Sequence, residues 1–582
     1  MRVRLRGVLP LALLALCAAS SGAMQAPIAT RASSVMLSIV GTNDLHGAIV
    51  PRDGRGGLAT FAGFVANLRA ARARDGGAVL LIDAGDMFQG TLESNLNEGA
   101  AIVDAYNKIG YTAVTIGNHE FDFGPVGPSP TPKAPTEDPR GALKARAAEA
   151  KFPFLAANLI DIKTGTPVRW PNVQPSVLVT AAGVHVGIVG VTTSRTLRAT
   201  IAANTIGLAI APLDTAIADE AARLRARGAA IIIVTAHAGG RCTQFGNPTD
   251  LASCEQPTEI GEVVAKLPHG TIDAIVAGHT HQGMAHEILG VPIIESFASG
   301  RAFGRIDLAI ARDRPHVVGH KVFPPRDVCA FEDAGSRCTD PARTPGATRV
   351  QYEGKDVAPD PAVERVLAAA IEQARHVKQK PLGVSLAAPI ERQYGRESAL
   401  GNLFADMMLE ATRGADVAVT NGGGLRADLP ARALTFGDLY EAMPFDNYMV
   451  RVRLTGDELA RVLAGNLGAS GGILSVAGVT ASATCENGTL RATLRRRSGA
   501  PIHDDEELTI ATSDFLATGG DGAFAPVRLL RVADAGDDAP LVRDAIADSL
   551  RQRGGSLDGK QFFNPAHPRL TYPGRRPVQC GS

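Results

Sequence analysis

The stretch VMLSIVGTNDLHGAI, residues 35–49, changes character halfway along. Residues 35–40 form an apolar run of the kind expected for a buried strand, and it breaks off into polar residues that include Asp44 and His46. Along an extended strand, side chains two apart face the same way, so the carboxylate and the imidazole can converge on one point.

The same event recurs four times downstream. AVLLID runs into Asp83-Ala84-Gly85-Asp86, YTAVTIG into Gly117-Asn118-His119-Glu120-Phe121-Asp122, AAIIIVTA into Thr235-Ala236-His237, and DAIVAG into Gly278-His279-Thr280-His281. Between these runs lie Ala- and Arg-rich helix candidates at residues 58–74 and 211–227. Alternation of buried strands with helices predicts an α/β or αββα layered domain. In such folds ligands gather beyond the carboxyl ends of the strands, where all five motifs would sit. Of 13 histidines, five stand in these motifs, which points to a shared metal cluster rather than to scattered core residues. Asp and His donors suit divalent first-row ions, so two ions (Zn, Mn or Co) are the expected cofactors.

The motif set resembles that of the calcineurin-like metallophosphoesterases, and GNHEFD narrows the resemblance to the 5'-nucleotidase family. The resemblance implies a four-layered αββα metallophosphoesterase domain over residues 34–345. It implies that Asp44, His46 and His281 hold one metal, that Asn118, His237 and His279 hold the other, and that Asp86 bridges them. It also makes His119 and Asp122 a catalytic dyad. A dinuclear centre acidifies water and clamps phosphoryl oxygens during displacement.

Downstream, Asp360-Pro361 has the form of a helix start, with apolar residues at helical spacing until Pro381, so residues 358–380 are expected to be a linker helix. The proline-rich segment 124–140 is expected to be a loop or insertion. Residues 381–580 carry a second, mixed α+β pattern. There NGGGLR (residues 421–426), MPF (443–445) and DFLATGGDG (514–522) resemble the nucleotide-recognition motifs of the 5'-nucleotidase C-terminal domain. The resemblance implies that Phe445 and Phe515 sandwich the base, that Asp521 takes the ribose hydroxyls and Asn421 a base edge, and that Arg396 and Arg426 grip the phosphate or contact the carboxylate-lined site. Gly423 belongs to a glycine loop that a ligand can approach closely. Asp446 departs from the glycine common after the stacking Phe and is expected to alter which base or leaving group fits.

Lys+Arg and Asp+Glu balance at 59 each, so nothing draws the 582-residue chain as a whole to a nucleic-acid polymer or an anionic membrane. The expected partner is a small nucleotide, bound locally. Arg2, Arg4 and Arg6 ahead of an apolar run, followed by Ser21-Gly22-Ala23, form a signal-peptide pattern over residues 1–23, and the run is too short to span a bilayer. Export, most simply to the periplasm, is expected. Leu14 to Cys17 departs from a lipobox at Leu16. Six cysteines follow the leader and allow 15 connectivities, of which the nearest-neighbour set Cys242–Cys254, Cys329–Cys338 and Cys485–Cys580 is the expectation.

The expected reaction is metal-dependent hydrolysis of nucleoside 5'-monophosphates. The same cluster would also serve a 2',3'-cyclic nucleotide phosphodiesterase, a nucleotide-sugar or dinucleotide pyrophosphatase, or a thiosulfohydrolase-like enzyme. A silent nucleotide-binding protein would have lost ligands or His119, and none is missing.

Overall fold

The computed structural model describes residues 34–528, 530–534 and 539–581. The leader pattern and Cys17 lie outside the described residues.

The amino-terminal half is built on two sheets. The first has seven strands in the order Val317–Asp327, Ala302–Ala311, Ser34–Thr42, Ala78–Asp83, Ala113–Thr115, Phe154–Leu155 and Val173–Gln174. Its centre is parallel, with Leu37 opposite Ala78 and Ile82 opposite Ala113, and Ser34–Thr42 pairs antiparallel with Ala302–Ala311. The second has six strands in the order Gly283–Ile288, Val291–Ser296, Ala274–Ala277, Ile231–His237, Val184–Thr192 and Ser176–Ala181.

Strands buried on both faces read as continuous apolar runs, and the packing explains why. Leu37, Ile39 and Ile82 of the first sheet share one buried cluster with Ile188, Ile233 and Val276 of the second. Helices Leu58–Asp75 and Ala100–Ile109 cover the outer face of the first sheet through Phe64, Leu68 and Ile102. Leu213–Ala226 and Glu259–Lys266 cover the second through Ile217, Leu224 and Ile260. This is the αββα sandwich expected from the sequence. Burying one such side chain fully stabilises by about 1.5–3 kcal/mol, so the inter-sheet layer is what holds the strand ends in register.

The expected linker helix is Pro361–Lys378. The Asp360 carboxylate caps it by accepting from Ala362 N and Val363 N (2.7 and 3.4 Å), and Pro361 takes the first turn, where no N–H partner is required. Val363 and Leu367 face the amino-terminal core, and Ala374 packs with Leu92 and with Tyr440 from the second half. At the helix end Lys378 Nζ pairs with Glu93 at 2.7 Å. The proline-rich segment lies between His119–Phe121 and the helix Gly141–Glu149 and holds neither helix nor strand.

The second half centres on a five-stranded sheet, in the order Leu474–Ala477, Val417–Asn421, Glu507–Ser513, Met449–Thr455 and Arg531–Asp534. Helices Ala399–Ala411 and Gly456–Gly468 pack against it, the latter started by a Thr455/Glu458 capping box. The three disulfides are the nearest-neighbour set: Cys242–Cys254, Cys329–Cys338 and Cys485–Cys580. Among the described residues no helix is long and apolar enough to cross a membrane.

Candidate metal centre

The five motifs meet where the two sheets bring their carboxyl ends together, and Thr235 Oγ1 donates across the gap to Asp83 O at 2.8 Å. The way the ligands converge differs from the expectation of strand alternation. Ser34–Thr42 has already ended before Asp44, and Asp44 and His46 both adopt left-handed backbone, with φ of 50° and 49°. Asp86, His279 and His281 do the same at 56°, 80° and 59°. Left-handed backbone at a non-glycine residue costs of order 1–3 kcal/mol, and it persists only where surrounding contacts over-determine it. Here they do: Asp44 N donates to Gly85 O at 2.9 Å, and His46 N donates to Asp86 O at 3.0 Å.

Ring orientation is set by backbone carbonyls. His46 Nδ1 donates to Gln89 O at 2.9 Å and His237 Nδ1 donates to Ala84 O at 2.8 Å. A carbonyl can only accept, so each ring carries its proton on Nδ1 and turns the Nε2 lone pair inward. His46 Nε2 then faces His281 Nε2 at 2.8 Å, with Asp44 Oδ1 3.4 Å from the latter. His237 Nε2 faces Asn118 Oδ1 at 3.0 Å, Asp86 Oδ2 at 3.1 Å and His279 Nδ1 at 3.2 Å.

Two groups result, Asp44/His46/Asp86/His281 and Asp86/His237/His279, each with ligand atoms within 4.8 Å of one another, and Asp86 belongs to both. Asn118 joins the second through Oδ1. Asp44 Oδ1 is buried without a hydrogen-bond partner. Lone pairs gathered this closely around an orphaned carboxylate oxygen fit a pair of cations.

The electrostatics agree. Burial opposes charge on His237, yet the carboxylates of Asp86 and Asp44 raise its pKa, so without a cation Nε2 would take up a proton where a bound ion would sit. Burial and the neighbouring His237 push His279 down to about 4. The carboxylates call for positive charge, and divalent ions supply it.

Glu120 is not a ligand but binds two of the motifs together. Its Oε2 accepts from Gly117 N (2.7 Å) and Asp86 N (2.9 Å), and Oε1 accepts from Met87 N (2.7 Å). Position 117 must be glycine, because a Cβ would stand 2.2 Å from Asp86 Oδ1. Glu295, equally buried, accepts from Thr280 Oγ1 (2.6 Å) and Gly240 N (3.0 Å) and so fixes the turn carrying His279 and His281. Neither carboxylate was singled out in the sequence. Glu120 was legible only as a letter of GNHEFD, and Glu295 lies in a strand with no motif around it.

His119 stands outside both groups, with its ring 5.3 Å from that of His46. Its Nδ1 bonds Asp122 Oδ2 at 2.6 Å, and Asp122 Oδ1 accepts from Thr200 Oγ1 at 2.7 Å. Burial disfavours its charged form, but the carboxylates of Asp122 and Asp86 more than compensate and raise its pKa. Asp122 is therefore a partner of His119 and not merely a turn residue.

The second half reaches this centre through Phe445 and Arg426. The Phe445 ring lies 5.6 Å from that of His119, and the Arg426 guanidinium lies 5.2 Å from the centre of the Phe445 ring. Asn421 Nδ2 donates to Asp521 Oδ2 at 2.6 Å, and Gly423 sits beside both. Phe515 is half-buried, with its ring edge against Gly520.

Two of the expected residues lie away from the ligand groups. Arg396 is exposed and its Nε donates to Gln393 Oε1 at 3.2 Å; among the described residues no hydrogen bond or ion pair joins it to the cluster. Asp446 is turned toward the buried Arg543, with which it forms an ion pair, so its charge is neutralised rather than offered to a base. The sequence alone could not reveal this, since the partner is about a hundred residues away.

Two ligand groups sharing a carboxylate at the strand ends of an αββα sandwich define a calcineurin-like phosphoesterase, and residues 37–283 match that family model. Residues 376–527 match the 5'-nucleotidase, C-terminal domain. The chain thus carries a calcineurin-like phosphoesterase domain followed by a 5'-nucleotidase C-terminal domain, the pairing of a metal-dependent phosphoester hydrolase.

Similar proteins include Endonuclease YhcR of Bacillus subtilis, 26% identical over 85% of this chain, which spans only 38% of that protein's length. Protein UshA of Yersinia enterocolitica is 26% identical, covering 84% of this chain and 86% of the relative. Among solved structures, a 5'-nucleotidase precursor from Thermus thermophilus superposes with a TM-score of 0.68 at 23% identity, over 92% of this chain and 99% of that one.

Proposed function

We propose that the protein hydrolyses the phosphate ester of nucleoside 5'-monophosphates. The observation that carries this reading is the meeting of the two ligand groups with His119, Arg426 and Phe445, which come from both halves of the chain.

Asp44, His46, His281 and Asp86 would hold one divalent ion, and Asp86, Asn118, His237 and His279 the other, with Zn, Mn or Co fitting the donors. Such a pair acidifies water and stabilises phosphoryl oxygens. The side chains do the rest. With Nδ1 held by Asp122, His119 keeps its Nε2–H for the charge that builds on the phosphoryl or leaving oxygen. Arg426 attracts the phosphate, for which a planar guanidinium is well shaped. The base stacks on Phe445 and Phe515, each contact worth about 0.5–1.5 kcal/mol beyond burial. Asn421 occupies one oxygen of Asp521 and leaves the other for a ribose hydroxyl.

In this reading residues 34–345 form the catalytic domain and 381–580 the substrate domain, joined by a linker at 358–380. The leader at residues 1–23 directs export, most simply to the periplasm. Support for a surface location comes from a similar protein described as Cell wall protein Lmo0130.

Phosphate release from AMP, UMP, 2',3'-cyclic AMP, UDP-glucose and NAD, with metal and with chelator, tests the reading. The highest kcat/KM is expected on a 5'-monophosphate and should vanish with chelator. A cyclic nucleotide or nucleotide sugar turned over faster than any monophosphate would overturn the substrate assignment.

A further inference from the structure

Arg543 lies on the helix Val542–Arg553, is only 4% exposed, and belongs to no motif. A buried guanidinium is costly unless its donors are met, and an apolar side chain of similar size often serves packing as well or better. Its Nη1 donates to Phe445 O at 3.2 Å and to Met443 O at 3.4 Å, and Nη2 pairs with the Asp446 carboxylate. The Tyr440 ring stacks on the guanidinium at 4.2 Å. All three acceptors belong to one loop, residues 443–446.

The fourth loop residue is held by the amino-terminal half. Pro444 O accepts from Gln89 Nε2 at 2.8 Å and from Asn95 Nδ2 at 3.4 Å, both from the amino-terminal half. Gln89 is the residue whose backbone carbonyl orients His46. The loop is thus gripped at every residue, while the Phe445 ring stays half-buried beside His119 and Arg426.

We propose that Arg543, with Asp446 as its counter-ion, is a positioning residue for substrate recognition that clamps the 443–446 loop so that Phe445 is presented to the base beside the metal centre. This rests on the reading of Phe445 as a base-stacking residue. A lysine would not replace Arg543, because a single ammonium lacks the planar fork that reaches two carbonyls and a carboxylate at once. The clamp acts on the nucleoside end of the substrate, so it separates substrates with a base from those without one.

The test compares kcat/KM for AMP and UMP with that for ribose 5-phosphate in Arg543→Met, Arg543→Lys, Asp446→Asn, the Arg543→Met/Asp446→Asn double variant and Phe445→Ala. The nucleotide-to-ribose-phosphate ratio is expected to fall at least fivefold in Arg543→Met and Asp446→Asn, mainly through KM. The double variant should be no worse than the poorer single one, and Arg543→Lys should recover less than half of the loss. Should Arg543→Met fail to fold, Asp446→Asn, on the more open side of the pair, decides the question. A ratio within twofold of the parent in the folded clamp variants, while Phe445→Ala lowers it, overturns the clamp and leaves base stacking standing. An unchanged ratio in Phe445→Ala overturns the stacking reading and the clamp with it.

Discussion

His119 N donates to Asp86 Oδ1 at 2.9 Å, yet the imidazole stands outside both ligand groups, with its Nδ1 held by Asp122. That separation makes its contribution measurable. His119→Ala should retain the parent's metal content while turnover drops by about 10²- to 10⁴-fold, the usual span for a general acid or base. Loss of metal in step with activity would make His119 a ligand and remove the dyad. The five strand-end motifs were legible in the sequence because polar residues interrupt apolar runs there, and the resemblance to metallophosphoesterases named the seven proposed ligands within them. The residues that orient them were not. Gln89 and Ala84 act through backbone carbonyls, which carry no side-chain signature, and Glu120 and Glu295 hold backbone N–H groups that only the folded chain gathers.

Elements were legible where periodicity was long. The helix expected at residues 58–74 is Leu58–Asp75, and that at 211–227 is Leu213–Ala226. The strand expected from YTAVTIG shrinks to Ala113–Thr115, and by Gly117 the backbone N–H already donates to Glu120 rather than to a neighbouring strand. The left-handed turns at Asp44 and His46 were not legible, since an alternating pattern in sequence also fits an extended strand.

The short helix Asp514–Ala517 offers a test of packing in the substrate half. Asp514 Oδ1 accepts from Tyr448 N at 3.0 Å and Phe515 N at 2.8 Å, so it joins the segment after Phe445 to the segment carrying Phe515. Burial pushes its carboxyl up from 3.8 to about 6, against the pull of those N–H groups. A raised carboxylate pKa means that the folded state holds the proton more tightly, so stability is lost as pH rises from about 4 to about 6, by up to about 3 kcal/mol. Asp514→Asn keeps an acceptor oxygen without the charge. The difference in stability between variant and parent, read from melting at each pH so that other groups cancel, should grow in favour of the variant across that window and then level off. A difference independent of pH would contradict the burial of this carboxylate.

The whole molecule carries no net charge to steer a ligand, with 59 basic and 59 acidic residues, so its chemistry depends on local convergence. The two halves share a contact zone around the segment Leu92–Asn95, where Leu92 packs with Ala374 and Tyr440 and Glu93 pairs with Lys378. The proposed division into a metal half and a recognition half rests on the motifs and on the resemblance they carry. The Arg543–Asp446 pair and the Gln89 contact with Pro444 could not be read from the sequence, because they join positions about a hundred and several hundred residues apart. In the proposed centre Asp86 serves two cations at once. Metal titration of chelator-treated protein with Mn²⁺, followed by calorimetry, tests it most directly. Two ions per chain are expected for the parent, one for His281→Ala and for His237→Ala, and weakened binding of both for Asp86→Ala. A single ion in the parent, or two ions bound undiminished by Asp86→Ala, would contradict the claim.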